Sequence, residues 1–197
     1  MRKLIGIICM CLGVLCLFCS VGLIAYNQWE DTKAKDTSRS LLEDVKEIIR
    51  EETPEQPLPS DTKMETIRVD GYECIGIISV PSLDLELPVL TDWSYSKLKK
   101  APCHYYGSYY EKDFVIAAHN YKAHFGRLSE LQTGDSVVFT DVSGKARYYE
   151  VVLLETLPKN ATKEMITSGF DLSLYTCTQG GGSRVTVRCK ITDVNEN

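Results

Sequence analysis

The sequence predicts an all-β domain, a barrel or a sandwich, preceded by one transmembrane helix. Three observations predict it. Residues 4 to 26, LIGIICMCLGVLCLFCSVGLIAY, run without a charge. From about Ile67 onward the chain breaks into short β-rich segments separated by turn signals. Between those segments there is no regular strand–helix alternation of the kind that builds a parallel sheet.

The apolar run is long enough at about 1.5 Å per residue to cross a hydrocarbon core of roughly 30 Å. It is longer than the apolar region of a cleaved signal peptide, and Tyr26 and Trp29 at its end suit an interfacial belt. Arg2 and Lys3 precede it, so the positive-inside tendency puts the N-terminus in the cytoplasm and everything after Trp29 outside. The expected localisation is the cell membrane, single-pass, with an extracytoplasmic working domain. The expected organisation is a cytoplasmic tip and span over 1–28, a stalk over 29–66 and the β-domain over 67–197.

The stalk is polar, and TPEQPLPSD at 53 to 61 marks a proline-rich linker. Before it, Ser40 to Glu52 has the pattern of an amphipathic helix. Leu41, Leu42, Val45, Ile48 and Ile49 share a stripe, and Ser40 with Glu43 makes a capping box.

Seven strands are expected: YECIGIISV (72 to 80), LELPVL (85 to 90), DFVIAAH (113 to 119), DSVVFT (135 to 140), KARYYEVVLLETL (145 to 157), DLSLYTC (171 to 177) and SRVTVRCKI (183 to 191). The fifth is long enough to bend or split. DVSG at 141 to 144 is a hairpin turn, and short helical pieces are expected at 94 to 100, 127 to 131 and 162 to 168, the last capped by Thr162.

The formal charge of -5, with no cluster of Lys and Arg interleaved with aromatics, argues against a nucleic-acid partner. Of eight cysteines, Cys9, Cys11, Cys16 and Cys19 lie in the apolar run, which leaves Cys74, Cys103, Cys177 and Cys189. No CxxC or Cys-plus-His cluster has metal spacing, so no metal and no cofactor are expected.

Chemistry concentrates in two stretches. In DFVIAAHNYKAHFGRL an apolar strand ends at His119 and Asn120; in LSLYTCTQGGGSRVTVRC a second ends at Cys177. A thiolate beside an imidazolium is the arrangement that activates cysteine. Three glycines, 180 to 182, let the chain turn back, and Arg184 then falls across a hairpin from Cys177. There a guanidinium stabilises a thiolate or an oxyanion. Arg188, deeper along the hairpin, is the rival arginine. His104, in the tyrosine-rich APCHYYGSYY, and His124, in a short turn, are the rival histidines, both expected at the surface. Cys189 has odd spacing from Arg184 and therefore faces the other way. The alternative is a disulfide between Cys177 and Cys189 in a non-catalytic membrane-tethered β-domain.

SLYTC (173 to 177), RVTVRC (184 to 189) and VIAAHNY (115 to 121), in this order with span and stalk before them, resemble the sortase family of membrane-anchored cysteine transpeptidases of Gram-positive bacteria. The resemblance covers about residues 72 to 191; family members often have Gly where Ala118 stands. It implies an eight-stranded β-barrel with a few short helices. Cys177 would be the nucleophile, His119 the general acid and base, and Arg184 the oxyanion and positioning group. It also implies substrate contacts in the loop of about residues 157 to 171, which holds Met165 and Ile166; Thr176 and Thr178, which flank Cys177, and Asn120, next to His119, are the further candidates for lining the site.

The implied activity is cleavage of an LPxTG-like sorting signal through a thioester, with transfer to an amine. Its partners are sorting-signal-bearing surface proteins and a peptidoglycan precursor or other amine acceptor. A hydrolase giving the acyl group to water is the enzymatic alternative. The loop is too short for the helical insertion of class B, no acidic calcium cluster of class A and no lid motif stand out, and the class stays open between B-like and D-like forms.

Overall fold

The computed structural model describes residues 2–51 and 63–192, so the expected linker at 53 to 61 lies outside the described residues. The chain divides into two compact units, 1–33 and 34–197.

The first unit is helical. Helix α1 spans Arg2–Glu51 without a break, and its N-terminal part is long and apolar enough to cross a membrane. The capping box expected at Ser40 is not used, because the chain is already helical there and preceding carbonyls accept the first amide hydrogens.

In the second unit, Ala34, Ser38, Leu41 and Val45 are buried at spacings of four, three and four, which makes one stripe of a 3.6-residue period. Leu41 and Val45 pack with Val69, Cys74, Ile77, Leu90, Ala101 and Cys103, and Leu42, Ile48 and Ile49 flank them. Residues 34 to 49 therefore pack on the β-domain.

Nine strands follow: β1 Ile67–Val69, β2 Tyr72–Val80, β3 Leu85–Leu90, β4 Cys103–Tyr106, β5 Phe114–Ala117, β6 Ser136–Asp141, β7 Ala146–Pro158, β8 Leu172–Cys177 and β9 Ser183–Ile191. Short helices α2 (Tyr95–Leu98) and α3 (Thr162–Ile166) interrupt them. Thr162 is the first residue of α3 rather than its cap, and Ala161 holds the cap position. The strand order is β1-β2-β3-β4-β5-β8-β9-β7-β6, and β6 pairs back onto β2. Strands β2 to β9 thus close an eight-stranded barrel, with β1 as a hairpin extension of β2.

The eighth strand differs in origin from the expectation. β7 has a bulge between Val151 and Leu153 but stays continuous. The missing strand is β4, CHYY, in the segment that reads as a tyrosine-rich loop. It touches β3 only through the parallel pair Leu90–Cys103 and is fixed mainly by antiparallel pairing with β5. Ile75, Ile78, Val89, Phe114, Ile116, Phe139, Leu172, Leu174, Val187 and Cys189 fill the interior.

Candidate active site

The alternation of side chains along three strands decides which residues share a face. On β5 and just beyond it, Phe114, Ile116 and Ala118 belong to the core; on β8, Leu172 and Leu174; on β9, Val187 and Cys189. Residues of the other parity face outward.

β5 and β8 run parallel, with Ala117 opposite Tyr175. The contact continues past the strand end, since Ala118 N donates to Tyr175 O (3.1 Å) and Thr176 Oγ1 donates to Ala118 O (2.9 Å). His119 thus stands two residues beyond the Ala117–Tyr175 pair on its own chain, and Cys177 stands two residues beyond it on β8. β8 and β9 are antiparallel and pair Cys177 with Arg184. Cys177, half-buried, and Arg184 thus form one row on the outer face of β8 and β9, and His119 follows the end of β5, the strand on the other side of β8.

Gly180 and Gly181 make the turn between β8 and β9 at φ of 81° and 71°, the left-handed region that favours glycine. Thr178 closes the same turn: its N donates to Ser183 O (3.0 Å), and its Oγ1 accepts from Ser183 N (3.1 Å). Arg184 Nη1 donates to Gly181 O (3.1 Å) and Ser183 O (3.0 Å). Nε and Nη2 make no hydrogen bond among the described residues, so part of the guanidinium fork remains to receive an anion.

Asn120 anchors the His119 ring through Nδ1. The Asn120 N–H donates to Nδ1 (3.1 Å), and Asn120 Oδ1 lies 3.0 Å from the same nitrogen. The amide hydrogen serves a bare Nδ1 and the carbonyl oxygen serves a protonated one, so either state of the imidazole is held. Nε2 is left as the nitrogen that can exchange a proton with sulfur or substrate. Tyr121 stacks on the ring with centroids 4.2 Å apart and planes within 4°. Asn120 therefore sits beside the histidine as its orienting group.

Thr176 is buried and uses its hydroxyl to tie β8 to the end of β5. Met165 is buried beneath Arg188, while Ile166, the last residue of α3, is half-buried. Arg188 is 1% exposed: Nε donates to Glu155 Oε1 (2.8 Å), Nη1 to Ser173 Oγ (2.8 Å) and Met165 O (3.3 Å), and Nη2 to Glu164 O (2.8 Å). The rival arginine is a strut that holds α3 against β8 and β9.

The rival histidines also differ from the surface placement expected of them. His104 lies on β4, with Nδ1 3.0 Å from Thr91 O and Nε2 2.8 Å from Gly107 O. His124 is fully buried, for reasons that lie in helix α1.

An aromatic wall beside the row went unnoticed in the sequence. Tyr175 shares the outward face of Cys177, and the Tyr105 ring meets it edge-on at 5.3 Å. Trp93 packs on Tyr105 at 5.8 Å and Tyr95 on Trp93 at 5.8 Å. Burial, and then Tyr105, push the Tyr175 hydroxyl far up, so it stays neutral. Counting back by two from Cys177 finds Tyr175, but only pairing across β4, β5 and β8 brings the other rings to it.

Cys189 lies opposite Leu172, five positions along the ladder from Cys177, or about 16 Å at strand rise. A disulfide requires Cα atoms within about 7 Å, so this geometry does not permit the Cys177–Cys189 bridge. Burial pushes the thiols of Cys74 up to about 11 and of Cys103 and Cys189 up to about 12. Among these four, iodoacetamide at pH 8 is expected to label Cys177 in the native chain, and the other three only after denaturation. Peptide mapping with Cys177 protected and Cys189 modified would contradict the arrangement. No group of three or more His, Cys, Asp or Glu side chains able to hold a metal occurs among the described residues.

Comparison with known proteins agrees with the fold. A family model described as the sortase domain matches residues 78–192, more than half of the chain. A Clostridium perfringens sortase D5 transpeptidase is similar with a TM-score of 0.61 at 19% identity, over 80% of this chain and 99% of that one. Sortase C from Clostridium perfringens SM101 gives 0.54 at 21%, over 81% and 91%. Sortase A from Corynebacterium diphtheriae gives 0.55 at 18%, over 88% and 94%. No curated protein matches the chain.

Proposed function

Because the chain belongs to the sortase family, we propose that it is a cysteine transpeptidase whose working row is His119, Cys177 and Arg184. The observation that supports this reading is the strand register, which pairs the half-buried Cys177 with Arg184 on one side and has β5, the strand that His119 follows, on the other.

In the proposed cycle the Cys177 thiolate attacks a peptide carbonyl of an LPxTG-like sorting signal, and the Arg184 guanidinium stabilises the oxyanion. As the C–N bond breaks, the proton on His119 Nε2 passes to the departing amine, leaving a thioester on Cys177. An incoming amine, from a peptidoglycan precursor or another protein, attacks the thioester, gives its proton to His119 and frees the thiolate. Asn120 follows the histidine through both protonation states. The wall of Trp93, Tyr105 and Tyr175 is the apolar surface on which the signal's side chains would lie. The N-terminal part of α1 would cross the membrane with its tip in the cytoplasm and the barrel outside.

The test is incubation of the full chain in detergent micelles with a library of sorting-motif peptides, with and without an amine nucleophile. Cleavage of a subset, with transfer exceeding hydrolysis when amine is present, is the expected result. Acyl transfer to water alone, at a rate indifferent to amine, would favour the hydrolase. If no peptide is cleaved in a Cys177-dependent way, the reading fails.

A further inference from the structure

Helix α1 reaches the neighbourhood of His119 through a buried contact between Ser38 and His124. Ser38 Oγ donates its only proton to Lys100 O, and His124 Nε2 lies 2.8 Å from Ser38 Oγ. Ser38 must therefore accept, which places a proton on His124 Nε2 and fixes the donor–acceptor order as His124 to Ser38 to Lys100. Both side chains are buried, Ser38 at 1% and His124 at 0% exposure. A buried polar pair of this kind leaves a costly orphan if either member is lost.

The loop between His119 and Gly126 is wound around this pair. His124 N donates to Tyr121 O (3.0 Å), Gly126 N to the same oxygen (2.8 Å), and Phe125 N to His119 O (3.3 Å). A Cβ on Gly126 would stand 2.5 Å from Asn120 O and 2.6 Å from Tyr121 O, so the loop closes on bare backbone there. The His124 ring meets the Tyr121 ring with centroids 5.6 Å apart, and Tyr121 lies flat on His119 at 4.2 Å. A packed path thus runs from Ser38 on α1 through His124 and Tyr121 to the imidazole.

We propose that Ser38 and His124 are positioning residues of the active site: docking of α1 residues 34 to 49 sets the loop that holds the His119 ring, so this stretch of the helix is a working part of the catalytic unit. The proposal rests on the reading of His119 as the proton-transfer group. Its chemical content is that a shift of about 1 Å in a catalytic group costs up to about a hundredfold in rate while substrate binding is spared.

The experiment uses the full chain in detergent micelles and reads two quantities. One is kcat and KM for a cleaved peptide; the other, independent of any substrate, is the pH dependence of Cys177 alkylation, followed by peptide mapping. Ser38→Ala and His124→Leu are expected to lower kcat about tenfold with KM within twofold, and to move the alkylation midpoint by half a pH unit or more. His124→Gln, whose amide nitrogen reaches the Nε2 position, is expected to stay within threefold of wild type.

Near-UV circular dichroism establishes folding, and if His124→Leu does not fold, Ser38→Ala decides alone. Folded variants with wild-type kcat and alkylation profile, beside a His119→Ala chain that has lost cleavage and shifted its profile, would overturn the coupling. A His119→Ala chain indistinguishable from wild type would instead overturn the site reading on which the coupling rests.

Discussion

Replacing Cys177 with alanine is expected to abolish peptide cleavage and amine transfer, and replacing His119 with alanine is expected to lower kcat about 10²–10⁴-fold. The two losses have different causes. Without sulfur there is no atom to carry the acyl group, and the remaining oxyanion donor has nothing to stabilise. Without the imidazole the thiol can still ionise at high pH, but the departing amine leaves unprotonated.

The His119→Ala chain should therefore gain reactivity of Cys177 toward an alkylating agent as pH rises and still stay slow in amide cleavage. A thioester substrate analogue, whose leaving group needs no proton, should be affected far less than a peptide by that substitution. Equal loss on both substrates, measured at matched pH, would show that His119 holds structure rather than protons.

The second large effect separates the two arginines of β9. Arg188→Ala is expected to destabilise the fold by about 3–5 kcal/mol, because Glu155 and the carbonyls of Glu164 and Met165 would lose a buried partner. In a chain of this size that is roughly 10 °C in Tm. Arg184→Ala, with its guanidinium bonded among the described residues to the carbonyls of Gly181 and Ser183, should leave Tm within about 2 °C. Its kcat/KM should fall about 10²–10³-fold, the loss typical of an oxyanion donor. Thermal melts and peptide kinetics on the two variants distinguish the roles. An Arg184→Ala chain that melts early and an Arg188→Ala chain that does not would exchange them.

What the sequence reveals and what it hides divide along a physical line. The candidate row of His119, Cys177 and Arg184 is legible because each residue stands at or just beyond the end of a strand that reads as apolar from its local sequence, and parity alone assigns Cys189 to the opposite, buried face. β4 is not legible. CHYY has no alternation of its own, and it becomes a strand because β5 offers it a ladder.

The burial of His124 is hidden for the same reason: its cover, Ser38, is 86 residues away on a helix that local pattern would start only at Ser40. Arg188 is hidden likewise, since its partner Glu155 lies 33 residues away on a neighbouring strand. The consequence for experiment is direct. A soluble fragment starting at residue 67 would lack Leu41 and Val45 from the packing around Cys74 and Cys103, and would lack Ser38 beneath the loop that carries His119.

Covalent capture of the acyl group tests the central claim most directly. The full chain is mixed with a cleaved sorting-motif peptide in the absence of amine, quenched in acid and measured by mass spectrometry. The predicted result is a mass increase equal to the acyl fragment, mapped to the peptide containing Cys177, released by hydroxylamine and absent from the Cys177→Ala chain. Cleavage that proceeds with no adduct on Cys177, or that survives in Cys177→Ala, would contradict it.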